Sequence, residues 1–112
     1  MNQVALVGRL ASDPEVKTVN NRSRTYFPLA VQRSFKNQDG EYEADFISVV
    51  LWNGIAENAC EYCSKGDLVG VRGRLQTNNY EKDGNMVYVT EVIAEKISFL
   101  SGKRKDEKAD SK

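Results

Sequence analysis

Apolar residues recur with a period of two along most of this chain, and the period becomes helical in only one place. Ile47, Val49 and Leu51 lie two residues apart, which is the pattern of a half-buried strand. Ile55, Ala59 and Cys63 are instead four residues apart, as on one face of a helix. Since 112 residues give room for one modest core, the pattern predicts a single domain of strands with one helix.

The boundaries of these elements follow from capping and turn residues. A helix of about three turns is predicted after the third strand, with Asn53 as its cap and Gly66 as its stop. Two turn sequences, Asn37-Gln38-Asp39-Gly40 and Asp83-Gly84, predict hairpins. Interrupted alternation predicts a bulge in the last strand. The five predicted strands cover residues 3–11, 25–35, 41–52, 68–80 and 86–100.

This order of elements predicts a small barrel. Glycines occur inside the first and fourth predicted strands, where the strands of a small barrel bend. Three strands, a helix and two strands are the order of the OB-fold, which commonly binds oligonucleotides. We therefore expect an all-β fold, a five-stranded OB-fold barrel over residues 1–102 with one helix between strands three and four. Residues 103–112 are charged and nearly devoid of apolar side chains, which predicts a disordered tail.

Composition excludes most kinds of catalytic site. The chain has no histidine, so it has no imidazole-based triad or zinc site. Cys60 and Cys63 form a CxxC, but they lie late in the predicted helix and not at its N-terminus, where the helix dipole favours a thiolate. We expect small buried side chains there instead of a thiol oxidoreductase. The sequence predicts no enzyme, no cofactor and no metal site.

The acidic residues of the first predicted hairpin have a simpler interpretation than catalysis. Asp39, Glu41, Glu43 and Asp45 share one parity along this hairpin, and carboxylates in such a row could form a metal or acid-base site. Protection of an exposed hairpin edge explains them better. Overall the charges cancel, but residues 1–38 carry a net +4 and residues 39–61 a net −6. A nucleic-acid site is therefore expected only as a local patch.

Location is predicted from what the sequence lacks. No apolar run exceeds four residues, far short of the ~20 that cross a bilayer, and residues 1–15 lack the apolar segment of a secretion signal. Two cysteines are too few for a disulfide framework. We expect a cytoplasmic protein with no membrane partner.

Aromatic and basic side chains lie off the aliphatic faces of the predicted strands. Binding of single strands without much sequence preference needs rings on which bases stack and cations that contact phosphates. The aromatic candidates could also be core or interface residues, and Arg72 and Arg74 could pair with Glu61 or Glu81. Because three strands each place an aromatic opposite the aliphatic row, stacking is favoured. The candidate site comprises Phe35, Phe46, Trp52 and Tyr80 for bases, and Arg33, Lys36, Lys65, Arg72 and Arg74 for phosphates.

Several segments in order resemble the bacterial single-stranded DNA-binding protein family. They are the residues NQVALVGRL at 2–10, DPE at 13–15, VVLW at 49–52, AE at 56–57 and KG at 65–66, the pattern VxVxGxLxT at 69–77, and YVTEV at 88–92. The resemblance covers residues 1–100. It implies an OB-fold protomer without catalysis, in a homotetramer around which single-stranded DNA wraps. It also implies base stacking at the positions of Phe35, Phe46, Trp52 and Tyr80.

The chain departs from that family in two respects. Gly54, Asn78 and Asn79 stand where members often carry basic residues, which implies weaker phosphate neutralisation. The last residues lack the acidic, apolar-ended tip that recruits replication proteins, so such recruitment through the tail is doubtful. The chain resembles short paralogues associated with DNA uptake and recombination, or a truncated member. The sequence predicts a nucleoid-associated protein acting in replication, recombination, repair or DNA uptake. The alternative is an OB-fold protein-interaction subunit with weak or no DNA binding.

Overall fold

A computed structural model describes residues 1–100 of the protein. Strands dominate, as the sequence predicts, and one helix separates the fourth strand from the fifth. The predicted domain end at residue 102 and the predicted tail at 103–112 lie outside the described residues. The elements are β1 (Val4–Leu10), β2 (Lys17–Val19), β3 (Arg22–Lys36), β4 (Tyr42–Trp52), α1 (Asn53–Tyr62), β5 (Leu68–Lys82) and β6 (Asn85–Phe99).

The strands form one sheet that closes on itself. Its hydrogen-bonded order is β1-β5-β6-β4-β3-β2, and β1 also pairs with β3, which completes a ring of five strands. Two links in this ring are short. Strands β1 and β3 meet only at Arg9 and Leu10, and the parallel strands β4 and β6 meet only at Val49 and Val50. The closed ring with one helix agrees with the predicted OB-fold barrel.

The core is built from the alternation that the sequence shows. Phe27 and Leu29 of β3 and Val49 and Leu51 of β4 are fully buried. Alternate residues of a strand point to opposite faces, so the residues between them form the outer face. Helix α1 covers the core with Ala56, which is also fully buried. Strands β5 and β6 continue beyond the barrel as a two-stranded arm, where residues 77–86 are all exposed.

Glycine is required where strands cross closely. A Cβ atom at Gly8 would overlap the carbonyl oxygen of Ala30 on β3, and one at Gly73 would overlap that of Ile93 on β6. The predicted bulge in the last strand is confirmed. Arg72 pairs with Lys96 whereas the next residue, Gly73, pairs with Ala94, so Glu95 is the extra residue. The glycines and the bulge lie where the barrel bends.

Three local predictions need correction. Strand β2 was not predicted, because the run around Asn20 and Asn21 is polar. These two residues adopt φ of 52° and 65°, which is the backbone of a two-residue hairpin turn, and the strand after them starts at Arg22 instead of residue 25. Asn53 does not cap the helix. It has φ of 61°, and the N-cap is Trp52, without a side-chain cap hydrogen bond. The helix ends at Tyr62, and Gly66, with φ of 92°, lies in the following turn.

Of the two cysteines that were predicted to be buried, Cys63 is buried and Cys60 is only partly so. Cys63 follows the helix and is 7% exposed within the core, whereas Cys60 is half-buried with its Sγ 3.6 Å from Thr25 Oγ1. Within residues 1–100, no three His, Cys, Asp or Glu side chains are grouped so as to hold a metal ion. In the same part of the chain, no helix is long and apolar enough to span a membrane.

Candidate nucleic-acid interface

The outer face of the β3–β4 hairpin carries two of the predicted aromatic residues. In the register of these strands, Trp52 lies opposite Arg24 and Phe46 lies opposite Ala30. Residues directly opposite one another share a face, and the buried residues of both strands, apart from Val50, occupy the other one. The predicted division of β4 into an aliphatic and an aromatic face therefore agrees with the structure.

These two rings are separated along the strand. Six residues at ~3.3 Å each place them about 20 Å apart. Phe46 is 67% exposed, whereas Trp52 is half-buried. Val50, on the same face between them, is 1% exposed and lies in register with Tyr26 and Ile93. Phe46 and Trp52 therefore lie near opposite ends of this face, with the buried Val50 between them.

The other two aromatic candidates lie on the hairpins that extend from the barrel. Phe35 is 76% exposed near the end of β3, where a second bulge separates Gln32 from Lys36 in the pairing with β4. Tyr80 is half-exposed on the β5–β6 arm and shares its face with Arg72 and Arg74. The four rings are thus distributed over a broad surface instead of converging on one pocket.

Two of the predicted phosphate-binding arginines are already engaged by carboxylates. The Arg33 guanidinium lies 2.9 Å from an Asp45 oxygen and 3.2 Å from a Glu43 oxygen. The hydrogen bond from Arg33 lowers the pKa of Asp45, and the same pair raises the pKa of Arg33. Arg74 lies 3.6 Å from Glu95 and donates a hydrogen bond to Gln76. Their charge is therefore partly neutralised before any ligand binds.

The remaining predicted cations differ in their surroundings. The Lys36 ammonium lies 5.7 Å from the centre of the Tyr42 ring, within cation–π range. Lys65 is exposed in the turn after α1, where its backbone N–H donates to Asp13 Oδ1 over 2.7 Å. Arg72 is exposed on the outer face of β5. These three positions do not form one cluster with Arg33 and Arg74.

The structure places three further residues beside Trp52 that the sequence analysis missed. Arg22 and Arg24 lie with their guanidinium carbons 4.6 Å and 5.7 Å from the centre of the Trp52 ring. Tyr26, the next residue on that face, is 43% exposed. Arg22 and Arg24 were missed because the second strand was predicted to start at Thr25, whereas Tyr26 lay inside that predicted strand and was not selected as a candidate. Alternation of Arg22, Arg24 and Tyr26 with buried residues was the available signal.

Comparison with known proteins shows which family this sequence matches. Residues 1–100 match the single-strand binding protein family. A single-stranded DNA-binding protein of Bacillus cereus is 57% identical over 102 residues, covering 89% of this chain and 60% of that protein. Single-stranded DNA-binding protein B of Bacillus subtilis is 50% identical over 111 residues, covering 97% of this chain and 98% of that protein. Single-stranded DNA-binding protein 1 of Staphylococcus aureus is 51% identical over 109 residues, covering 96% and 70%.

The chain thus spans about 60% of the length of the Bacillus cereus relative and nearly all of the Bacillus subtilis one. These names describe DNA-binding proteins and not enzymes, in agreement with the sequence prediction. With its strand order and its 100-residue match, the chain belongs to the single-strand binding protein family.

Proposed function

We propose that this protein binds single-stranded DNA with little sequence preference, by stacking bases on aromatic side chains and contacting phosphates with basic ones. The observation that carries the proposal is the exposure of Phe46, which is 67% exposed on a strand whose other face is buried. Bases of every type present a flat π-face, so stacking tolerates sequence. The stacking residues are Phe35, Phe46, Trp52 and Tyr80, and the phosphate contacts are Arg33, Lys36, Lys65, Arg72 and Arg74.

Exposure of these rings supports ligand binding over a packing role. A fully buried Phe side chain contributes ~1.5 to 3 kcal/mol to folding, and rings as exposed as Phe35 and Phe46 give up most of that. Phe35 is followed by Lys36, and Phe46 lies on the same face of the β3–β4 hairpin as Arg24. An extended polyanion with unpaired bases would cover such a surface. The relatives named above support DNA over other polyanions.

The biological role follows from this binding. We propose that the protein protects or presents transient single strands in replication, recombination, repair or DNA uptake, as a cytoplasmic, nucleoid-associated protein. The supporting observation is the near-complete match to a relative named as a single-stranded DNA-binding protein.

We also propose that the protein assembles into a homotetramer. Strand β1 pairs with β5 from Val4 to Arg9 but with β3 only at Arg9 and Leu10. One edge of Val4–Gly8 is therefore unpaired within residues 1–100, and such an edge can pair with another strand. Val7, on this strand, is 57% exposed. Sedimentation velocity with and without a long oligonucleotide tests this. A monomer at micromolar concentration would contradict it.

Fluorescence of the single tryptophan tests DNA binding directly. Titration with oligo-dT should quench Trp52, since stacking on a base places the indole against a π-system. A duplex of equal length is the control, because its bases are already stacked and should quench less. No quenching by oligo-dT, together with no retention of labelled oligo-dT in a gel-shift assay, would contradict the proposal and favour the protein-interaction subunit.

A further inference from the structure

Trp52 does not present a bare ring, because two guanidinium groups lie over it. Arg22 and Arg24 are two residues apart on β3 and therefore share a face with one another. Their guanidinium carbons lie 4.6 Å and 5.7 Å from the ring centre, within the ~6 Å at which the ring attracts a cation. The Trp52 ring thus fixes two positive charges at the end of the β3–β4 hairpin.

Neither of these charges is held in an ion pair within the part of the chain that the structure describes. Among residues 1–100, neither Arg22 nor Arg24 forms an ion pair with a carboxylate, whereas Arg33 and Arg74 both do. Asp13 and Glu15 line the same cleft as Lys17 and Arg24 without an ion pair to either, and Glu57 on α1 contacts the hairpin between the two arginines. Its Oε2 accepts a hydrogen bond of 2.6 Å from Ser23, which lies between the two arginines and points to the other face.

A third basic residue extends the positive surface. Lys17 of β2 lies opposite Arg24 of β3, and Arg24 lies opposite Trp52 of β4. These three residues form a row across three strands on one face of the sheet. Lys17 and Arg22 are exposed and Arg24 is half-buried. The short strand β2 therefore extends the basic surface beyond Trp52 and Arg24 to Lys17.

We propose that Arg22 and Arg24 form a phosphate-binding site beside Trp52 and direct the nucleic-acid strand from β4 onto the β2–β3 hairpin. This inference rests on the proposed binding of single-stranded DNA. A guanidinium stacked on a ring keeps its N–H donors at the edge of the stack, and these donors match phosphate oxygens in a bidentate geometry. A base stacked at Trp52 would place its own phosphate beside these donors. The tryptophan positions the charges, and the charges hold the strand.

Paired substitutions separate phosphate binding from a packing role. The double variant Arg22→Gln with Arg24→Gln removes both charges, and Arg22→Lys with Arg24→Lys keeps them while removing the planar groups. Affinity for oligo-dT is measured from 0.05 to 1 M salt. Each phosphate contact that is lost on a single strand makes the negative slope of log K against log salt shallower by about 0.7. The slope of the Gln variant should therefore be shallower by about 1.4. Its binding at 0.1 M salt should be about 25-fold weaker if both proteins bind equally at 1 M.

The Lys variant decides the cause of that loss. If the arginines neutralise phosphates, the Lys variant retains the slope of the unmodified protein. If they only hold Trp52 in place, both variants weaken binding equally at every salt concentration, and the inference is wrong. An unchanged slope in the Gln variant would also overturn it. Near-UV circular dichroism and thermal unfolding, measured on both variants, establish that the fold is retained.

Failure of the inference is distinguishable from failure of the proposed function. The unmodified protein is titrated in the same series. If it does not bind oligo-dT, the proposed function is wrong and the inference falls with it. If it binds oligo-dT with the same salt slope as the Gln variant, the function stands and only the role of Arg22 and Arg24 is rejected.

Discussion

At the scale of single residues, two of the predicted rings are largely exposed and two of the predicted arginines are paired with carboxylates. Phe35 and Phe46 are largely exposed, whereas Arg33 is held between two carboxylates. Phosphate contacts at Arg33 must therefore compete with Asp45 and Glu43. In the described part of the chain Phe35 and Phe46 face no such competition, whereas the Trp52 ring is already contacted by two guanidinium groups.

Replacement of Trp52 or Tyr80 by alanine tests the stacking assignment. Each variant should weaken binding of oligo-dT by ~1 to 3 kcal/mol, which is the usual contribution of one stacked base. Tyr88→Ala is the matched control. Tyr88 is 72% exposed on the same arm, but it pairs with Asn79 and so lies on the opposite face from Tyr80. Fluorescence anisotropy of labelled oligo-dT measures all three. Equal losses for Tyr80 and Tyr88 would contradict the assignment of one binding face.

Release of Arg33 should strengthen binding. Asp45→Asn removes its principal hydrogen-bond partner and leaves Glu43 as the remaining carboxylate beside it, so the guanidinium becomes more available to a phosphate. The slope of log K against log salt should steepen by up to about 0.7. Asp39→Asn, in the turn of the same hairpin, makes the same change in net charge without touching Arg33 and should have a smaller effect. If the two variants behave alike, overall charge and not the ion pair controls affinity.

The contribution of the Arg33–Asp45 ion pair to stability should fall only at acidic pH. The hydrogen bond from Arg33 holds the pKa of Asp45 below its usual value of 3.8. The ion pair therefore contributes its full stability above pH ~4, and the contribution is lost as pH falls through the lowered pKa. Because both side chains are exposed, the contribution is small. Between pH 5 and 8 Arg33 stays paired, so binding through this group should not vary with pH.

Among the elements, the strands with regular alternation and the hairpin turns at residues 37–40 and 83–84 were predicted correctly, whereas the turn at Asn20 and Asn21 was not. Strand β4 was predicted within one residue at its start, because Ile47, Val49 and Leu51 define its period. Strand β2 has three residues and no buried side chain, so hydrophobic periodicity carries no signal for it. The helix was predicted from its apolar spacing, but its cap was assigned from residue type alone. Asn53 takes left-handed backbone instead of capping.

Gly8 and Gly73 lie where strands cross closely, which predicts a loss of stability when either is replaced by alanine. Gly8→Ala and Gly73→Ala each place a Cβ against a backbone carbonyl, which cannot rotate away. Each should lower the free energy of unfolding by about 1 to 3 kcal/mol. Gly54→Ala in α1 is the control, since a Cβ there has no neighbour within 4 Å. It should be neutral or stabilise the helix by up to about 1 kcal/mol. Urea denaturation measures all three, and equal effects would show that chain flexibility and not strand crossing matters.

For the whole molecule, the sequence predicted the barrel and the shared face of Phe46 and Trp52 better than the contacts of the charged residues. The alternation of side chains along a single strand is enough to assign Phe46 and Trp52 to one face. The pairing of Arg33 with Asp45 and the position of Arg22 over Trp52 depend on register between strands. Register is fixed by turn geometry and bulges, and the turn at Asn20 and Asn21 was missed. The basic cluster beside Trp52 was therefore not predictable from the same reasoning.

Two short strand pairings close the barrel, and we expect it to open locally at these two places. Long pairings hold β3 to β4 and β5 to β6, but β4 meets β6 at two residues and β1 meets β3 at two. Amide hydrogen exchange should be fastest at these links among the buried strands, at residues such as Leu29 and Ile93. A strand of DNA lying on both Trp52 and Tyr80 crosses the β4–β6 link. Binding should therefore slow exchange at Ile93 more than at Leu29, and equal slowing at both would show that DNA does not bridge the two hairpins.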